Sequence, residues 1–333
     1  MQAFIIDRYG KNQTGRITDI PEPSLRDDEV LVQVHAAGVN LLDVKIRNGE
    51  FKLLLPYKMP LVLGHDVAGK VVKVGAGVRR FKVGDEVYAR ADDLRIGTFA
   101  EYIAIRESSV AIKPASLSME QAASLPLVAL TAWQVLVDSA GLKPGQKVFI
   151  QAGSGGVGAI AIQLAKHLGA TVATTTSSAN VEWVKSLGAD VVIDYTKQDF
   201  STALRDYDVV LNSLGSEELN KSLQVLKPGG QLISISGPPT REFAVQQKLA
   251  WPLQQVMRLL SYGIRKKARQ HGVSYAFVFM RAEGQQLAKL GALIDAGVLR
   301  PTIDRVFPLA ATAEALAYVG KGRAKGKVAI KVR

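Results

Sequence analysis

The sequence predicts an α/β chain of two domains, one β-rich and one built on a doubly wound parallel sheet. Three observations carry this. A glycine-rich turn joins an apolar strand to an amphipathic helix within 147–170. Strand and helix patterns then alternate to about residue 236, as parallel sheets covered on both faces require. Before about residue 117 the chain is instead a series of short strand fragments punctuated by glycines, the texture of an antiparallel, barrel-like domain. With 333 residues, 47% of them hydrophobic, the chain suffices for about two cores.

In the N-terminal part, Val30, Val32 and Val34 alternate with Leu31, Gln33 and His35, as a strand with two unlike faces would. Val67 to Val74 and Val83 to Tyr88 are further strand pieces, separated by Gly75, Gly77 and Gly84-Asp85. Ser118 and Gln121 have the spacing of a capping box and open a short helix that Pro126 interrupts. A second helix, roughly 128–140, stops at Gly141.

The next segment is the most informative. Val148-Phe149-Ile150 reads as a buried strand; Gly153, Gly155 and Gly158 occupy the glycine positions of G-x-G-x-x-G, with Ser154, Gly156 and Val157 between them. Ile160, Ala161, Leu164, Ala165 and Leu168 follow at helical spacing. Glycines tolerate positive φ in a tight turn and let backbone N–H groups approach a pyrophosphate without a Cβ in the way. The helix start adds unpaired N–H groups and the positive end of a dipole. Strand, turn and helix together indicate a dinucleotide site, in preference to an ordinary strand-to-helix turn. Strands follow at 171–176, 191–193, 209–211 and 231–236, with helices at 179–187 and 219–226, the latter ended by Pro228-Gly229-Gly230. Leu214 and Gly237, just past the fourth and fifth strands, are further candidate cofactor contacts. Over 243–269 the pattern is less regular; Trp251, Leu253, Val256, Met257 and Leu260 have approximate helical spacing and read as core packing of a surface helix. An amphipathic helix at 283–296 and a strand-like Val328-Ala329-Ile330 complete the chain.

Composition narrows the function classes. There is no Cys, which excludes disulfides, thiolate metal sites and a cysteine nucleophile. The net charge of +12 attracts anions, but its one dense cluster, Arg265-Lys266-Lys267-Ala268-Arg269, lacks an aromatic-rich nucleic-acid motif and reads as solvated surface. No nucleic-acid partner is expected. The longest apolar region, Leu53 to Leu63, is broken by Pro56, Lys58 and Pro60, so no membrane span is expected. Asp7 and Arg8 come too early for a signal peptide, and a cytoplasmic location is expected.

Cofactor choice can be read locally. Sites for NAD usually place an acid on the adenosine ribose about 20 residues past the glycines. Here the stretch is Thr174-Thr175-Thr176-Ser177-Ser178-Ala179-Asn180, and the first acid is Glu182. Hydroxyls such as that of Ser177 can donate to a 2′-phosphate that a carboxylate would repel. NADP(H) is therefore the expected cofactor.

Across nearly its whole length the chain resembles the medium-chain dehydrogenase/reductase superfamily, and within it the zinc-independent quinone oxidoreductases that include zeta-crystallin and plant alkenal reductases. The marks are Gly38-Val39-Asn40-Leu41-Leu42-Asp43, Gly64-His65-Asp66-Val67-Ala68-Gly69, Val83-Gly84-Asp85-Glu86-Val87, Leu130-Thr131-Ala132, the glycine turn, and Leu226-Lys227-Pro228-Gly229-Gly230. The resemblance implies a GroES-like catalytic domain (1–122 and 271–333), a Rossmann domain (123–270), an active site in a cleft between them, and a homodimer. Zinc alcohol dehydrogenases are similar but carry a metal-binding Cys where Asn40 stands; with His65 alone remaining, no metal is expected.

The resemblance also implies site residues. Asn40 faces the nicotinamide and would donate to the oxygen that gains charge as hydride arrives; the competing reading is a turn residue. Asp43 would orient that loop. Thr131 would contact the nicotinamide end. Tyr195 and Arg323 would assist the 2′-phosphate, with Lys185 and Lys325 as helpers, though Arg323 reads equally as a solvated tail residue. Tyr57 and Tyr275 are candidate proton donors. The expected activity is NADPH-dependent, metal-free reduction of a quinone or α,β-unsaturated carbonyl. The alternatives are a zinc-free alcohol dehydrogenase-like enzyme, and a non-catalytic NADPH-binding or RNA-binding protein on the same fold.

Overall fold

The computed structural model describes residues 1–11 and 13–333, which divide into two compact units: Met1–Leu130 with Arg281–Arg333, and Thr131–Met280. Residues 123–130, read from sequence as part of the nucleotide domain, fall in unit 1, and 271–280 fall in unit 2.

Unit 1 begins with β1 (Gln2–Ile6), β2 (Arg16–Asp19), β3 (Glu29–Val39), α1 (Leu41–Asn48) and β4 (Leu61–Val62). It continues through β5 (Asp66–Val74), β6 (Glu86–Arg90), β7 (Tyr102–Arg106), β8 (Val110–Ile112) and α2 (Met119–Ala123). Then α3 (Pro126–Trp133) crosses the division. Strand β3 organises this unit, pairing antiparallel with both β5 and β7. The alternation read at 30–35 is only half realised: Leu31 is buried along with Val30, Val32 and Val34, because this stretch is covered on both faces. Val83 is not in a strand; it is exposed in the turn at Gly84 (φ +99°), and β6 starts at Glu86. The Ser118 hydroxyl accepts the Gln121 N–H and the Gln121 side chain accepts the Ser118 N–H, so the expected capping box opens α2.

Unit 2 contains β9 (Lys147–Ile150), α4 (Gly156–His167), β10 (Thr171–Thr176), α5 (Val181–Ser186) and β11 (Val191–Asp194). After these come α6 (Phe200–Ala203), β12 (Tyr207–Asn212), α7 (Ser216–Lys221), β13 (Leu226–Ser234) and α8 (Arg241–Gln246). It ends with α9 (Trp251–Leu260), α10 (Tyr262–Gln270) and β14 (Ser274–Phe277). Its six strands are parallel in the order β11-β10-β9-β12-β13-β14. The order reverses between β9 and β12, and such a switch point is where open α/β sheets bind ligands. Two readings need correction. Pro228-Gly229-Gly230 does not stop a helix before the strand: it lies inside β13, and the register jumps there from Tyr207↔Leu226 to Val209↔Gln231. And α3 does not run evenly to Ala140, but continues from Gln134 to Ser139 as a π-helical turn before Gly141 (φ +56°).

The chain then returns to unit 1 as α11 (Gly284–Asp295), β15 (Ile303–Pro308), α12 (Thr312–Gly320) and β16 (Lys327–Lys331). Strand β16 pairs antiparallel with β3 and parallel with β15, closing the order β15-β16-β3-β5-β6-β8. Among the described residues no helix is long and apolar enough to cross a membrane.

Candidate functional site

Unit 1 buries a polar cluster where β3 ends and α1 begins. Asn40 stands as N-cap of α1, and Asp43 at the third helical position accepts the Asn40 backbone N–H at 2.8 Å, which satisfies a helix-start donor. The other Asp43 oxygen lies 2.6 Å from His65 Nδ1, both side chains fully buried. The Asn40 side chain turns inward. Its Nδ2 donates to Asp66 Oδ2 at 2.9 Å, and Lys327 Nζ, at the start of β16, donates to its Oδ1. Lys327 Nζ also donates to the Val39 carbonyl at 3.1 Å and lies 3.7 Å from Asp66 Oδ2. The second Asp66 oxygen accepts the Leu127 N–H at 2.9 Å, at the start of α3.

An ammonium at one end of the Asn40 amide and a carboxylate at the other fix its orientation without ambiguity. One amide hydrogen is committed to Asp66; the second meets no acceptor among the described residues. Burial pushes the Asp66 carboxyl up and the Lys327 ammonium down, each toward its neutral form, while the charge of each holds the other back. His65 Nε2 is buried without a partner.

Among the described residues no group of three or more His, Asp or Glu side chains could hold an ion, and the chain has no Cys. The His65 nitrogen nearest a carboxylate is already engaged by Asp43.

In unit 2 the strand-to-helix turn fits a dinucleotide. A Cβ at Gly153 would lie 2.2 Å from Thr174 Oγ1, and one at Gly158 would lie 2.3 Å from the Ala152 carbonyl. Close approach therefore demands glycine at both positions. The sequence reading assigned positive φ to these glycines; the structure puts it on Ala152 (φ +52°), which the Thr175 hydroxyl holds through its N–H. Gly155 caps α4, so the N–H groups of Gly156, Val157 and Gly158 have no intrahelical acceptor and are available to an anion. Thr176 Oγ1, at the end of β10, is buried and unpartnered. Ser154 belongs to the same turn. Leu214 and Gly237 follow β12 and β13, on the other side of the switch point, tied together by Ser236 Oγ donating to the Leu214 carbonyl and the Gly237 N–H donating to Ser234 Oγ.

The loop after β10 differs in one respect from the sequence expectation. Asp194, at the end of β11, accepts from the Ser178 hydroxyl at 2.6 Å and the Thr196 hydroxyl at 2.7 Å, and these bonds hold its carboxyl down at about 2. An ionised carboxylate thus reaches the hydroxyl loop from the neighbouring strand, offset by Lys197 at 3.5 Å. Ser177 Oγ accepts from Asn180, and Tyr195 is exposed beside Asp194. Lys185 is paired with Glu182. Thr131 is buried on α3, four residues past Leu127. Arg323 and Lys325 lie in unit 1, in the turn before β16, and are not among the unit 2 residues brought together here. The hydroxyls of Tyr57 and Tyr275 donate to the Asp93 and Pro238 carbonyls, and burial raises both above the usual tyrosine range.

Sequence reasoning missed Lys327 and the role of Asp66. The signal existed: a lysine opens an otherwise buried strand, where it needs a partner. It also missed the network beneath the switch point, in which Asn212 Nδ2 donates to Gln151 Oε1, Gln151 Nε2 to Ser222, and Ser234 Oγ to Asn212 Oδ1.

Residues 26–115 match the family described as alcohol dehydrogenase GroES-like domain, and residues 187–330 the one described as zinc-binding dehydrogenase. The chain is 35% identical over 355 residues to the mitochondrial NAD(P)H oxidoreductase RTN4IP1 of Danio rerio, covering all of this chain and 91% of that protein. It is 35% identical to the chloroplastic NADPH-dependent alkenal/one oxidoreductase of Arabidopsis thaliana, over 99% of this chain and 79% of that one. Among solved structures, the quinone oxidoreductase of Coxiella burnetii superposes with a TM-score of 0.85 at 32% identity, covering 100% and 99% of the two chains.

Proposed function

Since the chain belongs to the medium-chain dehydrogenase/reductase superfamily, in its quinone oxidoreductase group, and is an oxidoreductase, we propose NADPH-dependent, metal-free reduction of quinones or α,β-unsaturated carbonyls as its reaction. The names of its relatives support the substrate class, and the observation that carries the mechanism is the Asn40 amide, held by Lys327 and Asp66 with one hydrogen to spare.

Bound at the Gly153–Gly158 turn, NADPH supplies a hydride. The turn's backbone N–H groups and the α4 terminus would bind its pyrophosphate, and the Ser177 hydroxyl, whose oxygen accepts from Asn180 and whose hydrogen is uncommitted among the described residues, would suit a ribose 2′-phosphate better than an acid would. Lys197 and Tyr195 border that loop, and Lys197 offsets the charge of Asp194. Asn40 donates its free amide hydrogen to the acceptor oxygen as charge develops there, while Lys327 polarises the amide from its carbonyl end. Asp43 fixes the Asn40 backbone. A conjugated acceptor suits this equipment: charge delocalises onto an oxygen that one or two neutral donors can stabilise. Alcohol oxidation needs a Lewis acid or base to remove the hydroxyl proton, and neither the donor set nor Asn40 provides one.

Steady-state NADPH oxidation with a benzoquinone and a 2-alkenal, in wild type and Asn40→Ala, tests the reading. We expect turnover of one or both acceptors and a loss of about 100- to 1000-fold in kcat in the variant with NADPH affinity retained, the usual cost of one oxyanion donor. Undiminished kcat would remove Asn40 from the mechanism, and no turnover of either acceptor would refute the reaction class.

A further inference from the structure

The segment from Lys248 to Arg269, in unit 2, has no part in the proposed reaction. It holds six basic residues, Lys248, Arg258, Arg265, Lys266, Lys267 and Arg269, and no acidic one, which is half the chain's net charge of +12. Arg265 lies 3.4 Å from Glu242 and Lys267 donates to Asn220, leaving Lys248, Arg258, Lys266 and Arg269 without a carboxylate partner among the described residues.

The apolar side chains of this segment face the wrong way for a core helix. A surface helix ordinarily turns its apolar stripe inward. In α9 only Met257 is buried, while Trp251 is 67% exposed, Val256 48%, Leu259 74% and Leu260 58%. The expectation that Trp251, Val256 and Leu260 pack on the core is therefore overturned. Pro252, Val256, and Leu259 with Leu260 succeed one another at spacings of three and four, so they form one face, and that face meets solvent. Tyr262, at the start of α10, extends it. Arg258 borders this face, and Lys266 and Arg269, three residues apart, carry positive charge along the next turns of α10.

We propose that α9 and α10 dock the protein peripherally on an anionic lipid bilayer. Trp251, Val256, Leu259 and Leu260 enter the headgroup boundary, and Arg258, Lys266 and Arg269 meet lipid phosphates. A solvent-facing apolar surface, with Trp251 exposed at the start of α9 and unpaired cations beside it, matches a lipid headgroup boundary in both chemistry and sign. A second copy of the chain would set like charges against each other. A polynucleotide would neutralise the cations but leave the leucines in water.

Flotation of the full chain with vesicles of phosphatidylcholine alone, or with added phosphatidylglycerol, tests this. Trp251 is the one exposed tryptophan of three, so its emission reports burial directly. We expect flotation with the anionic vesicles only, weakened by salt, with a blue shift that Trp251→Phe abolishes. Lys266→Glu with Arg269→Glu, and separately Leu259→Asp, should lower partitioning by about tenfold or more while NADPH binding, which reports an intact unit 2, is kept. Equal binding to uncharged vesicles, variants that float as well as wild type, or wild type that ignores vesicles while shifting single-stranded RNA or dimerising through Trp251, would each overturn the proposal.

Discussion

Replacing Lys327 by Met is the sharpest test of the buried cluster. Methionine keeps roughly the length and apolar stem of lysine but removes the ammonium that serves Asn40 Oδ1 and the Val39 carbonyl and faces Asp66 at 3.7 Å. What remains is a fully buried carboxylate with one N–H and one amide donor and no cation. Stripping one partner from such a pair costs about 3–5 kcal/mol. Part of this is pH-dependent, and the sign follows from Asp66. Its folded carboxyl is already raised by burial, and losing Lys327 raises it further. A raised acid favours the fold while protonated: its contribution is intact below the unfolded value of about 3.9 and is lost as pH rises through the folded value. The variant's deficit should therefore be largest at neutral pH and shrink toward pH 4. All three tryptophans lie in unit 2, so fluorescence does not report on this site. Amide hydrogen exchange of peptides from β3 and β16 does. Adding Asp66→Asn to Lys327→Met should recover much of the loss, since no charge is then left buried. A neutral-pH deficit under about 1 kcal/mol, or one unchanged by Asp66→Asn, would refute the pairing.

Other outcomes follow from the same geometry. Gly158→Ala should disrupt the nucleotide turn, because its Cβ would sit 2.3 Å from the Ala152 carbonyl; calorimetric titration should show NADPH affinity at least about tenfold weaker, and unchanged affinity would argue against close packing there. Ser177→Asp should narrow or reverse a preference for NADPH over NADH, read as the ratio of dissociation constants; equal affinity for both cofactors in the wild type would remove the basis of the argument. Activity should survive strong chelators, with metal analysis finding no stoichiometric zinc; loss of activity together with about one zinc per chain would overturn the metal-free reading. Tyr57→Phe and Tyr275→Phe should leave kcat within about a few-fold of wild type, since both hydroxyls serve backbone carbonyls; a loss of about 100-fold in either would identify a proton donor.

The parallel sheet was legible because its strands are short apolar runs bounded by turn residues, and β10 at 171–176 was bounded to the residue. Failures came where tertiary context outweighed local pattern. Pro228-Gly229-Gly230 has the composition of a turn, yet β13 absorbs it as an irregularity. Asn40 and Asp43 were visible through their motif, whereas Lys327, 287 residues from Asn40, enters the cluster only because β16 pairs with β3. Nothing in local sequence announces that pairing. Asp194 escaped notice for a similar reason: it reaches the Ser178 loop from a neighbouring strand. In α9 the spacing of apolar residues was read correctly, but spacing does not say which side faces the core.

The central claim is that hydride goes to a carbon of a conjugated acceptor, with charge passing to an oxygen held by neutral donors. It is tested most directly by incubating the protein with an α,β-unsaturated ketone and NADPH deuterated at its transferable position, then identifying the product by mass spectrometry and NMR. The account predicts the saturated ketone, with deuterium on the β-carbon. An allylic alcohol carrying deuterium on the former carbonyl carbon would contradict it.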